Sequence, residues 1–249
     1  MLLDPFFYLM AIPAVLIVGI SKGGFGGGLG VVAVPILTLA IDPVLAAAIM
    51  LPILCTMDLM AVKAFWKKWD SALLISLLPS AVVGILIGTF SFHLLNADAI
   101  KLLIGVLAIG FTLQHWLKKQ PPETKPSKAR GAFWSTISGF TSFVAHAGGP
   151  PITFYLLPLK LEKSVYQGTS VAFFTAINYI KLIPYFFLGQ LSLGNMKTSL
   201  TLLPVAFIGV YLGIYLHKRM SQDLFFKLAY LFLFLTGLKL TWDGVVAFF

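Results

Sequence analysis

The stretch Ser21-Lys22-Gly23-Gly24-Phe25-Gly26-Gly27-Gly28-Leu29-Gly30 places six glycines among ten residues, in the middle of an apolar run. A helix interior resists such density, because each glycine costs about 1 kcal/mol relative to alanine. The run over residues 6–41 is therefore expected to be broken here. In the second half of the chain, Ala145-His146-Ala147-Gly148-Gly149-Pro150-Pro151 interrupts the apolar run over residues 131–159 in the same way. A shift of 120 residues puts Gly28 on Gly148, Asp58 on Asn178 and Phe65 on Tyr185. Glycine-broken apolar segments at matching places in two halves are the sequence pointer to a membrane protein built from repeats around a central site.

The composition around these breaks agrees. Of 249 residues, 59% are hydrophobic and 11% charged, with a mean hydropathy of +0.93. An ordinary soluble domain carries roughly 25% charged residues, and disorder requires low hydrophobicity, so both classes are excluded. A single cysteine, Cys55, rules out an internal disulfide framework and a cysteine zinc cluster. The net charge of +9 does not point to nucleic acid, because the Lys and Arg residues lie in short gaps between apolar runs, where they orient segments across a bilayer. The start of the sequence has no basic region before its apolar run, so no removable leader is expected.

At about 20 residues per crossing, eight units follow: 6–41 (broken), 44–62, 71–92, 98–117, 131–159 (broken), 164–188, 198–217 and 224–247. The polar, proline-rich stretch 118–130 reads as a linker, dividing the chain into a membrane repeat 1–117, a cytoplasmic linker 118–130 and a membrane repeat 131–249. Charge decides between hairpins and single crossings for the broken units. With hairpins, one face collects twelve basic residues (Lys63, Lys67, Lys68, Lys118, Lys119, Lys125, Lys128, Arg130, Lys160, Lys163, Lys218 and Arg219) and the other only Lys101 and Lys197. With single crossings the division is less marked, so the positive-inside rule favours hairpins. The second half then starts on the opposite face from the first, giving inverted repeats, with Met1 and Phe249 outside. The arms Phe6–Ile20 and Leu29–Ile41 are each roughly 20 Å at about 1.5 Å per residue, short of a full crossing. The expected fold is an all-α integral membrane protein of two inverted four-unit repeats, each opening with a glycine-interrupted broken helix or hairpin.

Backbone broken inside a membrane is tolerated where it lines a polar cavity. A helix starting after each break would aim its N-terminus there, an end that attracts anions. Gly23, Gly24, Gly26, Gly27, Gly28 and Gly30 in one half, and Gly148 and Gly149 in the other, would let a ligand approach the backbone; the competing reading is close packing between helices. Lys22 either faces the ligand path or snorkels to an interface. His146 either bonds an oxyanion or carries a proton, or is a neutral histidine tied to a backbone carbonyl. Asn178 and Lys181, at i and i+3, share one helix face; Lys181, hard to explain by snorkelling alone, either contacts the substrate or a counter-ion or is an interface lysine beside a helix opened at Pro184. Asp58 is a proton carrier for coupling, the partner of a buried Lys, or a salt-bridge partner of Lys63. Cys55 reads as an apolar filler. Trp66, Trp69, Trp116, Trp134 and Trp242 read as an interfacial belt. Gln167, Thr169 and Ser170 line the cavity or bond between helices. No Gly-Lys-Ser/Thr follows the glycines, which argues against a nucleotide loop.

Ser21-Lys22-Gly23-Gly24-Phe25-Gly26-Gly27-Gly28-Leu29-Gly30 with Val34-Pro35-Ile36-Leu37, Gly148-Gly149-Pro150-Pro151, and Gly168-Thr169-Ser170 leading to Asn178-Tyr179-Ile180-Lys181-Leu182 together resemble the sulfite exporter TauE/SafE family of membrane permeases. The resemblance covers nearly the whole chain. It implies a secondary transporter, expected to be an exporter, of sulfite or a small organosulfur anion across the bacterial inner membrane. The expected partners are that sulfur-containing oxyanion and membrane lipid, with no nucleic acid, no cofactor, no metal, and a homodimer as the candidate assembly. The substrate-binding set is expected to be Lys22, Gly23, Gly24, Gly26, Gly27, Gly28, His146, Gly148, Gly149, Asn178 and Lys181, with Asp58 as the coupling residue. An anion channel and an intramembrane enzyme are the alternatives; no Ser-His pair or metal-like cluster within helical reach supports the second.

Overall fold

Asp42 and Asp70 illustrate how the chain starts its spans: each accepts backbone N–H bonds from the first turn of the helix that follows, Asp42 from Val44 at 2.8 Å and Asp70 from Leu73 at 3.0 Å, as N-caps do. The computed structural model describes residues 4–24, 28–94, 96–117, 123–216 and 222–247. Among these residues it is all helical: α1 (Pro5–Gly24), a 3₁₀ segment (Gly28–Val32), α2 (Ala33–Thr38), α3 (Pro43–Ala64), α4 (Ser71–Ser91), α5 (Ala97–Leu117), α6 (Lys128–Ala145), α7 (Gly149–Leu156), α8 (Lys163–Phe187), α9 (Leu193–Leu216) and α10 (Gln222–Val246). Six of these helices, α1, α3, α4, α5, α8 and α9, are long and apolar enough to cross a membrane.

The first break differs from the sequence expectation. The arm expected to end at Ile20 continues through Ser21, Lys22, Gly23 and Gly24, making α1 20 residues long, a full crossing by length. The returning arm is short, a 3₁₀ segment and the 6-residue α2. The helix persists because its glycines are docking points. A Cβ on Gly23 would collide with the Val210 carbonyl of α9, and one on Gly19 would lie 2.9 Å from the Gly209 Cα. Interhelical packing at small residues, the main adhesive between membrane helices, outweighs the local cost of glycine. Met1 and Phe249, Gly26 and Gly27, most of the linker's first half, and Lys218 and Arg219 lie outside the described residues.

Two long parallel contacts frame the interior. Along α1 and α9, Tyr8 meets Thr201, Gly19 meets Gly209, and Gly23 meets Gly213. Along α4 and α6, Ser135 Oγ donates to the Leu77 carbonyl at 2.6 Å, Thr136 to the Ser80 carbonyl at 3.1 Å, and Gly139 and Gly84 face opposing backbone. Gly84-x-x-x-Gly88 on α4 and Gly209-x-x-x-Gly213 on α9 thus perform the same task against the two broken helices. Helices α5 and α10 pack on each other. Helices α3 and α8 cross antiparallel: Lys68, just past α3, lies against Gly168 near the start of α8, while Asp58 touches Asn178 midway.

Both broken units turn back. Helix α7 returns along α6, with Trp134 stacked on Phe154 at 4.7 Å, and Thr124, before α6, donates to the Pro158 carbonyl, after α7, at 2.9 Å. In the first unit, Tyr8 near the start of α1 meets Thr201, while Ser199, two residues earlier on α9, donates to Ile49 near the start of α3 at 2.8 Å. Each unit therefore begins and ends at one end of the bundle. The outer faces carry Leu, Ile and Phe side chains such as Ile75, Phe90 and Phe187, and the interior is mostly apolar too, with polar side chains gathered on the buried face of α6 at Ser135, Ser138, Thr141 and Ser142.

If backbone contact sets the packing, Gly139→Ala on α6 should destabilise the protein by roughly 1–3 kcal/mol, because its Cβ would strike the Ala81 carbonyl. Gly110→Ala on α5, where nothing lies within 4 Å, should be neutral or stabilising by up to about 1 kcal/mol. Thermal melts in detergent compare the two.

Candidate functional site

Two lysines, one aspartate and one histidine are the buried ionisable side chains of Asp, Glu, Lys, Arg and His among the described residues: Lys22 (5% exposed), Asp58 (1%), His146 (5%) and Lys181 (0%). All four sit where α1, α3, α6 and α8 meet. An ammonium or carboxylate in such a place must be paired or surrounded by hydrogen-bonding groups, and the two lysines solve this differently.

The Lys22 ammonium, in the last turn of α1, pairs with the Asp58 carboxylate of α3. The second carboxylate oxygen accepts from Asn178 Nδ2 of α8 at 2.7 Å. Asp58 and Asn178, which share one register under the 120-residue shift, are thus in direct contact. Gln167 Nε2 reaches the Lys22 carbonyl at 3.4 Å, helping to satisfy the end of α1, whose last carbonyls have no partner within the helix. The Lys63 pairing considered for Asp58 is not realised. Lys63 lies in the last turn of α3 and is exposed, whereas Asp58 faces inward.

Lys181 has neutral partners. Its Nζ donates to the Ser142 carbonyl at 2.9 Å and the Ser142 hydroxyl at 2.8 Å, and lies 2.8 Å from His146 Nδ1. Because an ammonium only donates, Nδ1 must accept, and the ring carries its proton on Nε2, which donates to the Ala47 carbonyl of α3 at 2.9 Å. His146 ends α6 in the left-handed conformation, φ 52°, with its N–H on the Ser142 carbonyl four residues back and that of Ala147 on the Thr141 carbonyl, an αL-type ending. Histidine is among the few non-glycine residues enriched there. His146 is thus tied to a backbone carbonyl through Nε2, and its other nitrogen faces Lys181.

Under the same shift Lys22 falls on Ser142. In one half the ammonium stands on the broken helix and its acceptor on α3; in the other the ammonium stands on α8 and its acceptor on the broken helix. With both lysines protonated, one carboxylate would stand against two ammonium groups among the described residues, and the charge without a carboxylate partner would be that of Lys181.

The glycines divide. Gly23 packs on α9 and is a helix contact, as the competing reading held. Gly24 is buried at the end of α1, and Gly28 opens the 3₁₀ segment. Gly30 brings the two breaks together: a Cβ there would lie 3.3 Å from the His146 carbonyl oxygen. Gly148 closes on its own hairpin, its carbonyl accepting from Ser138 at 2.7 Å. Gly149 begins α7, followed by Pro150 and Pro151. Two of the first three residues of α7 therefore lack an N–H, and α2 and α7 have only 6 and 8 residues, so these helix ends offer fewer donors than the sequence suggested. Thr169 receives the Asp70 N–H at 2.9 Å, bonding between elements. Cys55 is buried. Sequence reading missed Ser142 and the Ala47 carbonyl; the signal for Ser142 was its register with Lys22.

Removing one member of the Lys22–Asp58 pair leaves the other buried and uncompensated. Lys22→Met and Asp58→Asn should each cost about 3–5 kcal/mol, whereas the charge-neutral double variant should recover most of that loss. Chemical or thermal unfolding of the four proteins measures the coupling; additive losses would show that the two groups act independently.

Among the described residues no group of three or more His, Cys, Asp or Glu side chains could hold a metal ion. No curated protein and no solved structure matches the chain. The family profile described as Sulfite exporter TauE/SafE matches residues 11–240, covering both broken segments and every residue of the buried cluster. The chain belongs to the sulfite exporter TauE/SafE family, a family of membrane transporters and not of enzymes.

Proposed function

We propose that this protein is a secondary transporter that exports sulfite or a small organosulfur anion across the bacterial inner membrane, with the anion held at the buried cluster. The observation that carries the reading is Lys181, fully buried on neutral acceptors alone. A buried ammonium without a counter-charge is costly, and an arriving anion supplies that charge. Lys22, Asn178, His146 and the backbone around Gly24, Gly26, Gly27, Gly28, Gly148 and Gly149 would complete the site, with Gly23 supporting it through α9. Asp58 has the coupling role. Protonation of its carboxylate would release Lys22 from its pair, raise the positive charge of the cluster, and favour anion and proton moving together.

The inverted-repeat reading, with halves 1–117 and 131–249 joined by 118–130, draws support from the contacts. Helix α1 packs on α9 as α6 packs on α4, α5 meets α10, and α3 and α8 cross at the register mates Asp58 and Asn178. A two-fold axis through that crossing would relate the halves. The basic ends of α3 and α5 and the turn after α7 would face the cytoplasm, so single cysteines at Lys125 and Leu161 in a Cys55→Ser background should label from the same, cytoplasmic face. Opposite labelling would overturn the topology.

Sulfite, thiosulfate or sulfoacetate should raise the melting temperature of the purified protein and move across proteoliposomes. Lys181→Ala should raise the half-maximal anion concentration at least tenfold, about 1.4 kcal/mol. Lys181→Arg should retain part of the affinity, keeping charge but not geometry. The neutral pair variant Lys22→Met/Asp58→Asn should bind anion through Lys181 yet lose the pH dependence of net flux. Unaltered anion response in Lys181→Ala would defeat the proposal.

A further inference from the structure

A narrow, partly open pocket lies beside the cluster without including any of its charged groups. Val44 at the start of α3, Phe92 at the end of α4 and Gln190 after α8 line it, so it lies at the end of the bundle opposite the Lys67–Asp70 turn. Its inner boundary contains Ala47, Phe143 and Tyr185. Each of these adjoins the cluster by another route: the Ala47 carbonyl holds His146, Phe143 follows Ser142, and Tyr185 stands four residues after Lys181, about 6 Å along α8. The Tyr185 ring meets the Phe143 ring edge-on at 5.3 Å and lies 6.2 Å from that of His146. Its hydroxyl donates to the Phe143 carbonyl at 2.7 Å.

We infer that this cavity is the mouth of the anion path on the Gln190 face and that Tyr185 is the residue closing it off from Lys181. This rests on the anion-transport reading above. The pocket is narrow, its walls are mostly apolar and hold no cation, so it offers an anion a way in and no binding site, whereas Lys181 stands behind the tyrosine by way of His146. Rotation of the ring about its side-chain bonds joins the two spaces with no helix displaced. The same rotation frees the hydroxyl proton from the Phe143 carbonyl, allowing it to donate to a passing oxyanion instead. Phe143 is the fixed side of the closure: its ring packs against Gly88, where a Cβ would lie 2.7 Å from it.

Thiol accessibility tests this without any transported substrate. Val144→Cys, at the cavity wall and in a Cys55→Ser background, should react with an impermeant thiol reagent from the face that labels Lys197→Cys and not from the face that labels Lys125→Cys. Native Cys55 lies eight residues beyond Ala47 on α3, about 12 Å deeper. It should react from the Lys197 face at least tenfold faster in Tyr185→Ala than in the unsubstituted protein. Tyr185→Phe, which keeps the ring and loses only its tie to α6, should give a several-fold increase. Silence at Val144→Cys, labelling there from the Lys125 face, or unchanged Cys55 reactivity in both tyrosine variants would overturn the inference. Normal flux with any of those results would fail this proposal alone; absent flux with the labelling pattern intact would fail the transport reading alone.

Discussion

An ammonium group in hydrocarbon must find acceptors, and in this protein the acceptors of Lys181 come from the end of a broken helix. The last carbonyls of any helix lack intrahelical partners; in a membrane no water replaces them. The Ser142 carbonyl accepts the His146 N–H that closes α6 and takes Lys181 as a second donor, and His146 extends the contact to α3. The end of α1 is treated in parallel, with Lys22 on Asp58 and Gln167 on the Lys22 carbonyl. Two structural liabilities, helix-end backbone and buried charge, are placed so that each answers the other. With both lysines protonated, the arrangement leaves one positive charge without a carboxylate.

Holding two helix ends inside the bundle requires rigid flanks. Gly209 and Gly213 on α9 receive α1, while Gly84 and Gly88 on α4 receive α6, letting backbones approach to distances any Cβ would forbid. The contact at Gly30 then brings the first break against the His146 carbonyl of the second. Helices α3 and α8 supply the side chains and cross where Asp58 meets Asn178. A change in the tilt of that crossing would alter both lysine sites at once, which is the mechanical link a carrier requires between its two faces.

Much of this could be read from the chain. Apolar run lengths and the uneven distribution of Lys and Arg identified eight units and two hairpins, and ionisable residues within apolar runs marked Lys22, Asp58, His146 and Lys181 individually. That Asp58 partners a buried Lys was one of the open readings; which Lys was not legible, because Lys22 and Asp58 are 36 residues apart and meet only when α1 docks beside α3. Ser142 and Tyr185 escaped notice for a different reason: a serine or tyrosine in a membrane helix is ordinary, and only the neighbour it touches distinguishes it. The glycine run was over-read at its start. Gly23 suggested a loop by local propensity, yet a receiving surface on α9, nearly two hundred residues away, keeps it helical.

The central claim is that a bound anion becomes the counter-charge of Lys181. Selenite, a heavier relative of sulfite, makes this directly visible by anomalous diffraction at the selenium edge. A selenium peak within about 4 Å of Lys181 Nζ, at ion-pair distance, lost in Lys181→Ala, is the predicted result. A peak confined to the glycine turns or to the bundle surface, with Lys181 still held by Ser142 and His146, would contradict the account.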